Sequence, residues 1–167
     1  MKLFNKRREH ETVAVCAIAD GIVLPLENVN DSVFSDKLLG EGVGFLFQGD
    51  TLYAPCDAKV IVIANTKHAI GLQLQNKAEL LIHVGLDTVE LNGNGFCPLV
   101  KLGEKIKKGQ ELLKIDMDLM REKTIDLTTP IVITNGASYT ISLRKNTGQV
   151  RQGEVLMQIT VPGSEEK

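Results

Sequence analysis

Turn-forming residues break this chain about every eight to twelve positions, and that punctuation limits the folds open to it. Asp20-Gly21, Gln48-Gly49-Asp50, Asn76-Lys77, Asn92-Gly93-Asn94-Gly95 and Asn135-Gly136 separate short runs rich in Val, Ile and Leu. The runs at 13–18, 22–24, 43–47, 52–55, 60–63, 71–75, 80–86 and 128–133 read as strands, cleanly alternating at 70–75. Aromatic residues are only 4% of the chain, so its core is aliphatic, which leans toward strands. The one helix-like segment is 116–123, and the polar stretch 28–40 reads as a loop with one helical turn. No helix of about 10–15 residues separates the strands, which argues against a parallel α/β sheet. The expectation is an all-β fold, an antiparallel sandwich or barrel with one or two very short helices.

A repeat sharpens it. Ile106-x-x-Gly109-x-x-Leu112-x-x-Ile115 recurs 44 residues later as Val150-x-x-Gly153-x-x-Leu156-x-x-Ile159. Each glycine reads as a turn between two strands. A fainter echo relates Ala17-x-x-Asp20-Gly21 to Ala54-x-x-Asp57-Ala58. The expected sandwich therefore carries an internally duplicated motif; two copies at this spacing are too few for a solenoid.

A chain of 167 residues fits one domain, here expected over 12–161, with flexible tails at 1–11 and 162–167. The net charge of −2 gives no electrostatic case for nucleic acid. Lys2, Lys6, Arg7 and Arg8, beside Leu3 and Phe4, are too short a cluster to anchor in a membrane and read as a solvated tail. Glu9, His10 and Glu11 interrupt any signal peptide, and no apolar run is long enough to span a bilayer. Cys16, Cys56 and Cys97 form no CxxC pair and read as buried thiols in a reducing cytoplasm. The chain starts at Met1 without a long linker, which reads as a free-standing protein and not a fragment of a fused permease. No GxxxxGK[ST] loop or GxSxG elbow is present.

The chemistry concentrates in Leu80-Leu81-Ile82-His83-Val84-Gly85-Leu86-Asp87-Thr88-Val89. At strand period, Leu80, Ile82, Val84 and Leu86 share a core face. Leu81, His83, Gly85 and Asp87 share the other, where Gly85 leaves room beside the imidazole. His10 falls in the tail. His68 and His83 are fifteen residues apart, so a six-residue strand, a turn and a returning strand bring them side by side. Three readings stay open. A neutral imidazole is a competent nucleophile for phosphoryl transfer, with His68 and the Thr66 hydroxyl supporting the phosphate. Two histidines are half a zinc site, needing Asp87 or a cysteine as third ligand. The third reading is two unrelated structural histidines.

The 80–91 stretch closely resembles the active-site signature of the glucose-type IIA domains of the bacterial phosphoenolpyruvate:sugar phosphotransferase system. Thr66-Lys67-His68-Ala69 resembles the family's second-histidine motif, and Asp31-Ser32-Val33-Phe34-Ser35-Asp36-Lys37-Leu38-Leu39-Gly40-Glu41-Gly42 its N-terminal landmark. Tyr53-Ala54-Pro55-Cys56-Asp57, Gly93-x-Gly95-Phe96 and Leu127-Thr128-Thr129-Pro130-Ile131-Val132 follow in the family's order, so the likeness runs from about Val13 to Ile159. It implies a β-sandwich with a duplicated motif and His83 phosphorylated at Nε2. It implies His68 as phosphate stabiliser and Thr66 as its hydrogen-bond support. It further implies a cytoplasmic relay with no cofactor or nucleotide and no obligatory metal. The phosphoryl group comes from phosphoenolpyruvate through enzyme I and HPr. It passes to a cysteine of a sugar-specific IIB domain at the inner membrane face. Asp31 and Asp87 would face basic groups of the partner, and Phe34, Val43, Phe45 and Leu81 would form an apolar docking ring. A partner could complete a zinc site on the two histidines, and some members regulate other proteins. Lys77 and Ala58 stand where the pattern has glycine, and Ala64 and Leu81 where some members have phenylalanine. The alternatives are a zinc-dependent hydrolase on a similar duplicated fold, using His68 and His83 as ligands, and a purely regulatory module.

Overall fold

Short aliphatic runs satisfy their backbones only by pairing, and hide their apolar faces only against another sheet. The computed structural model describes residues 11–163; His10, the basic cluster at 2–8 and most of the expected C-terminal tail lie outside the described residues. The strands are β1 (Thr12–Cys16), β2 (Gly21–Pro25), β3 (Glu41–Phe47), β4 (Thr51–Tyr53), β5 (Ala58–Ile63), β6 (Ala69–Leu74), β7 (Glu79–His83), β8 (Phe96–Pro98), β9 (Lys105–Ile106), β10 (Glu111–Ile115), β11 (Thr129–Ile133), β12 (Thr140–Leu143), β13 (Gly148–Val150) and β14 (Val155–Thr160). Two short helices join them, α1 (Ser32–Ser35) and α2 (Met117–Glu122), with single 3-10 turns at Leu26–Asn28, Thr88–Leu91 and Gly136–Ser138.

An eight-stranded sheet runs β13-β2-β3-β11-β7-β6-β5-β9, beside two three-stranded sheets, β1-β14-β12 and β4-β10-β8. The pairings are antiparallel. Val15, Leu52, Leu112 and Ile159 from the small sheets bury against Phe45, Leu72, Ile82 and Ile131 of the large one. The chain is thus the antiparallel β-sandwich its alternation predicts.

The duplication is physical. Ala54 exchanges backbone bonds with Gly109 and Gln110, and Ala17 does the same with Gly153 and Glu154. Asp57 Oδ1 accepts the amide of Lys108 at 2.9 Å, and Asp20 Oδ1 that of Gln152 at 2.8 Å. Gly109 and Gly153 sit at φ +85° and +87°, where a side chain would strain the turn. The two copies also clasp each other: Cys16 N–H donates to Pro55 C=O at 3.0 Å and Tyr53 N–H to Ile18 C=O at 2.8 Å.

The outer face of the large sheet carries a second apolar cluster of Leu26, Val29, Phe34, Leu86 and Val132, with Leu24 and Leu81 packed on it. It exists because the segment 26–35 folds back over β3. Gly44 permits that approach: an added Cβ would lie 2.8 Å from Val29 Cγ2. Three expectations change here. Val43 and Phe45 have 0% exposure and point into the main core, so neither reaches a docking surface; strand parity puts Gly42 and Gly44 on the outer side instead. Leu86 joins the outer cluster and not the core row of Leu80, Ile82 and Val84, because Gly85 at φ +78° breaks the alternation. Cys97 is exposed, whereas Cys16 and Cys56 are buried, with burial pushing the Cys56 thiol up to about 12.

Candidate functional site

The site is built at one end of the β6–β7 hairpin. The turn at Asn76-Lys77 reverses the chain, with Lys77 at φ +71° doing what glycine does more cheaply. Register then sets Ala69 opposite His83. His68 lies one residue outside β6, and Lys67 at φ +61° turns the chain into it. The Val84 amide donates to the His68 carbonyl at 2.7 Å, closing the hairpin end. The two rings meet with centroids 4.8 Å apart and planes at 79°. The side-by-side placement expected from their spacing is therefore present.

Each ring has a defined second partner. His83 Nδ1 lies 2.9 Å from the Gly85 carbonyl, which can only accept, so Nδ1 carries the proton and the neutral ring presents a free lone pair at Nε2. His68 Nδ1 lies 2.7 Å from the Thr66 hydroxyl. His68 is buried, 7% exposed, and His83 is partly open. Burial holds the pKa of both below 6.5; the His83 charge adds to the effect on His68, while the Gly85 carbonyl, Asp31 and Asp87 oppose it at His83.

The surroundings divide between charge and grease. Asp31 caps α1 through Val33 N–H at 3.0 Å. Asp87, exposed and at φ +56°, precedes the 3-10 turn without capping it. Phe34 is 3% exposed and presents its ring to His83, centroids 4.9 Å apart, so it braces the imidazole and is not itself open to a partner. Leu81 is half-buried beside it on the outer face. Among the described residues no third His, Cys, Asp or Glu joins the pair in a metal-holding group.

Sequence reading missed the struts. Thr88 is fully buried, and its hydroxyl donates to the Val84 carbonyl at 2.6 Å. The Asp126 carbonyl accepts Leu86 N–H at 2.9 Å, while its carboxylate takes the Thr128 amide and hydroxyl. These bonds fix the loop that aims the Gly85 carbonyl at His83. An Asp-x-Thr turn signal at 126–128 was readable; its contact with the 84–88 loop was not.

Residues 13–139 match the family model of the phosphoenolpyruvate-dependent sugar phosphotransferase system, EIIA 1. A glucoside-specific EIICBA component of this system from Staphylococcus carnosus is 45% identical over 137 residues, 82% of this chain and 20% of its own length. A glucose-specific EIICBA component from Staphylococcus saprophyticus is 45% identical over 123 residues, 74% of this chain and 18% of its own. The chain thus spans about a fifth of the length of these curated relatives. Among solved structures, the glucose permease IIA from Mycoplasma capricolum superimposes with a TM-score of 0.81 at 34% identity, covering 88% of this chain and 95% of that one.

Proposed function

Because the chain belongs to the sugar phosphotransferase EIIA 1 family, we propose that it is a phosphocarrier in sugar uptake, with His83 as the residue that holds the phosphoryl group. The observation that carries this reading is the His83 Nδ1–H bond to the Gly85 carbonyl, which leaves Nε2 as the nucleophile. The Nε2 lone pair attacks the phosphorus of phospho-HPr as the donor's P–N bond breaks. A cysteine thiolate of a sugar-specific IIB domain then takes the group, and His83 recovers its lone pair. Phosphoenolpyruvate supplies the phosphoryl group through enzyme I and HPr, so the chain needs no nucleotide.

His68 supports the phosphate. In the tautomer whose Nδ1 accepts from the Thr66 hydroxyl, its Nε2–H donates to a phosphoryl oxygen on the neighbouring ring. The outer cluster keeps water from the labile P–N bond while a partner is docked. Asp31 and Asp87 draw in a basic partner surface. Among the described residues no helix is long and apolar enough to cross a membrane; a relay working in the cytoplasm and meeting its acceptor at the membrane face fits that fact.

The test is reconstitution with phosphoenolpyruvate, enzyme I and HPr. The wild type gains an acid-labile, base-stable phosphate, and His83→Ala gains none. His68→Gln still accepts phosphate but passes it on slowly. Phosphate on the His83→Ala chain would overturn the assignment, and loss of acceptance in folded His68→Gln would overturn the division of labour.

A further inference from the structure

The sheet face that presents His83 continues beyond the site. Register lays out three rows across β7, β6 and β5. The first pairs His83 with Ala69. The second runs Leu81–Gly71–Val62, and Val62 is 47% exposed with its side chain lying over Gly71, where an added Cβ would come within 3.0 Å. The third runs Glu79–Gln73–Lys59–Lys105. Reactive ring, apolar strip and charged rim follow one another, the layout of a protein interface.

The rim is unusual. Lys59 and Lys105 stand directly opposite each other in an antiparallel pair, an arrangement that costs stability. With Lys77 and Lys107 they line an open cavity of about 400 Å³. Among the described residues Lys107 has an ion pair with Asp57 at 3.7 Å, and Lys59, Lys77 and Lys105 have none. Lysines guard exposed sheet edges against aggregation, which accounts for Lys105 on edge strand β9. It does not account for Lys59, whose strand is paired on both sides, nor for Lys77 in a turn.

We propose that this lysine-lined cavity is a second docking point, taking an acidic segment of the protein that exchanges a phosphoryl group with His83. The inference rests on the phosphocarrier reading and adds the partner's charge pattern to it. Four residues along the strand and two to three strands across put Lys59 and Lys105 roughly 16–20 Å from His83. A standard interface of about 800 Å² per partner reaches that far only at its rim. The partner therefore shows basic groups near its reactive centre, opposite Asp31 and Asp87, and carboxylates at one side. Two patches of opposite sign fix its rotation about the phosphoryl axis as well as its approach.

The experiment measures kcat/KM with phosphorylated HPr as donor and with a glucoside-specific IIB domain as acceptor. It compares wild type, Lys59→Gln/Lys105→Gln and Lys59→Glu/Lys105→Glu, after equal thermal midpoints establish that each variant folds. Charge reversal is expected to lower kcat/KM about tenfold with at least one partner at low salt. The glutamine pair falls less, and the loss shrinks near about 1 M salt. Hydrolysis of isolated phospho-His83 stays unchanged. Wild-type transfer with both partners in the glutamate variant overturns the proposal and leaves the phosphocarrier reading standing. So does a loss equal at both salts, or lysine-dependent binding to phosphatidylglycerol vesicles without any change in transfer. Failure of the wild type to take phosphate at all removes both.

Discussion

The proposed transfer needs a neutral His83, and burial favours that form. Burial lowers its pKa more than the Gly85 carbonyl, Asp31 and Asp87 raise it. The pH at which phosphate acceptance falls to half is therefore expected to lie below 6.5, the ordinary histidine value. Replacing Asp31 and Asp87 by asparagine moves the fall to still lower pH. Titration of the His83 Cε1 proton, set beside the pH–rate profile, checks both statements; a midpoint above 6.5 contradicts them. The same shifts govern stability: the unfolded chain binds these protons first, so stability is lost as pH drops from 6.5 toward the folded values. At this scale the sequence showed the two imidazoles, because their spacing matches a hairpin. It did not show that Thr88 and Asp126 hold the loop that sets the His83 tautomer: the Leu86–Asp126 bond joins residues forty apart, and the local Thr88–Val84 bond depends on the turn made at Gly85.

The segment 26–35 is the element that converts a flat sheet into a site, since it brings both Asp31 and Phe34 to His83. Its seat is Gly44, where an added Cβ would meet Val29 Cγ2 at 2.8 Å and Leu24 Cγ at 2.9 Å. Gly44→Ala is expected to cost about 1–3 kcal/mol in chemical denaturation, as overpacking does, and to weaken the Phe34–His83 contact seen by NMR. Val29→Ala in the same chain should restore part of both, because it removes the obstructing methyl. A Gly44→Ala chain as stable as wild type rules out this seating. Periodicity gave the strands, but the docking ring expected from the family resemblance put Val43 and Phe45 on the wrong face. Parity says which residues alternate, not which side is core, and an outer cluster under 26–35 makes both sides of β3 apolar.

The duplicated halves can be one cooperative body or two units side by side, and their bonds decide between these. Asp20 and Asp57 do the same work in the two copies, each taking one amide from the opposing turn. The turns are tied together by Lys108 Nζ donating to the Gly153 carbonyl at 3.2 Å, and the halves by the Cys16–Pro55 and Tyr53–Ile18 bonds. Both turns also repeat one bond pattern: Gln110 and Glu154 side chains accept the amides of Lys107 and Arg151. Equivalent geometry predicts equivalent cost, about 1 kcal/mol for Asp20→Ala and for Asp57→Ala. Independent units would make the double variant additive. Shared turns and exchanged backbone bonds predict a coupling of at least about 0.5 kcal/mol and a single urea transition. Loosening either turn frees Lys108 and Gly153 together, so the second loss removes an interaction already weakened. Strict additivity, or two transitions in urea, would show that the copies fold as separate units and meet only by packing.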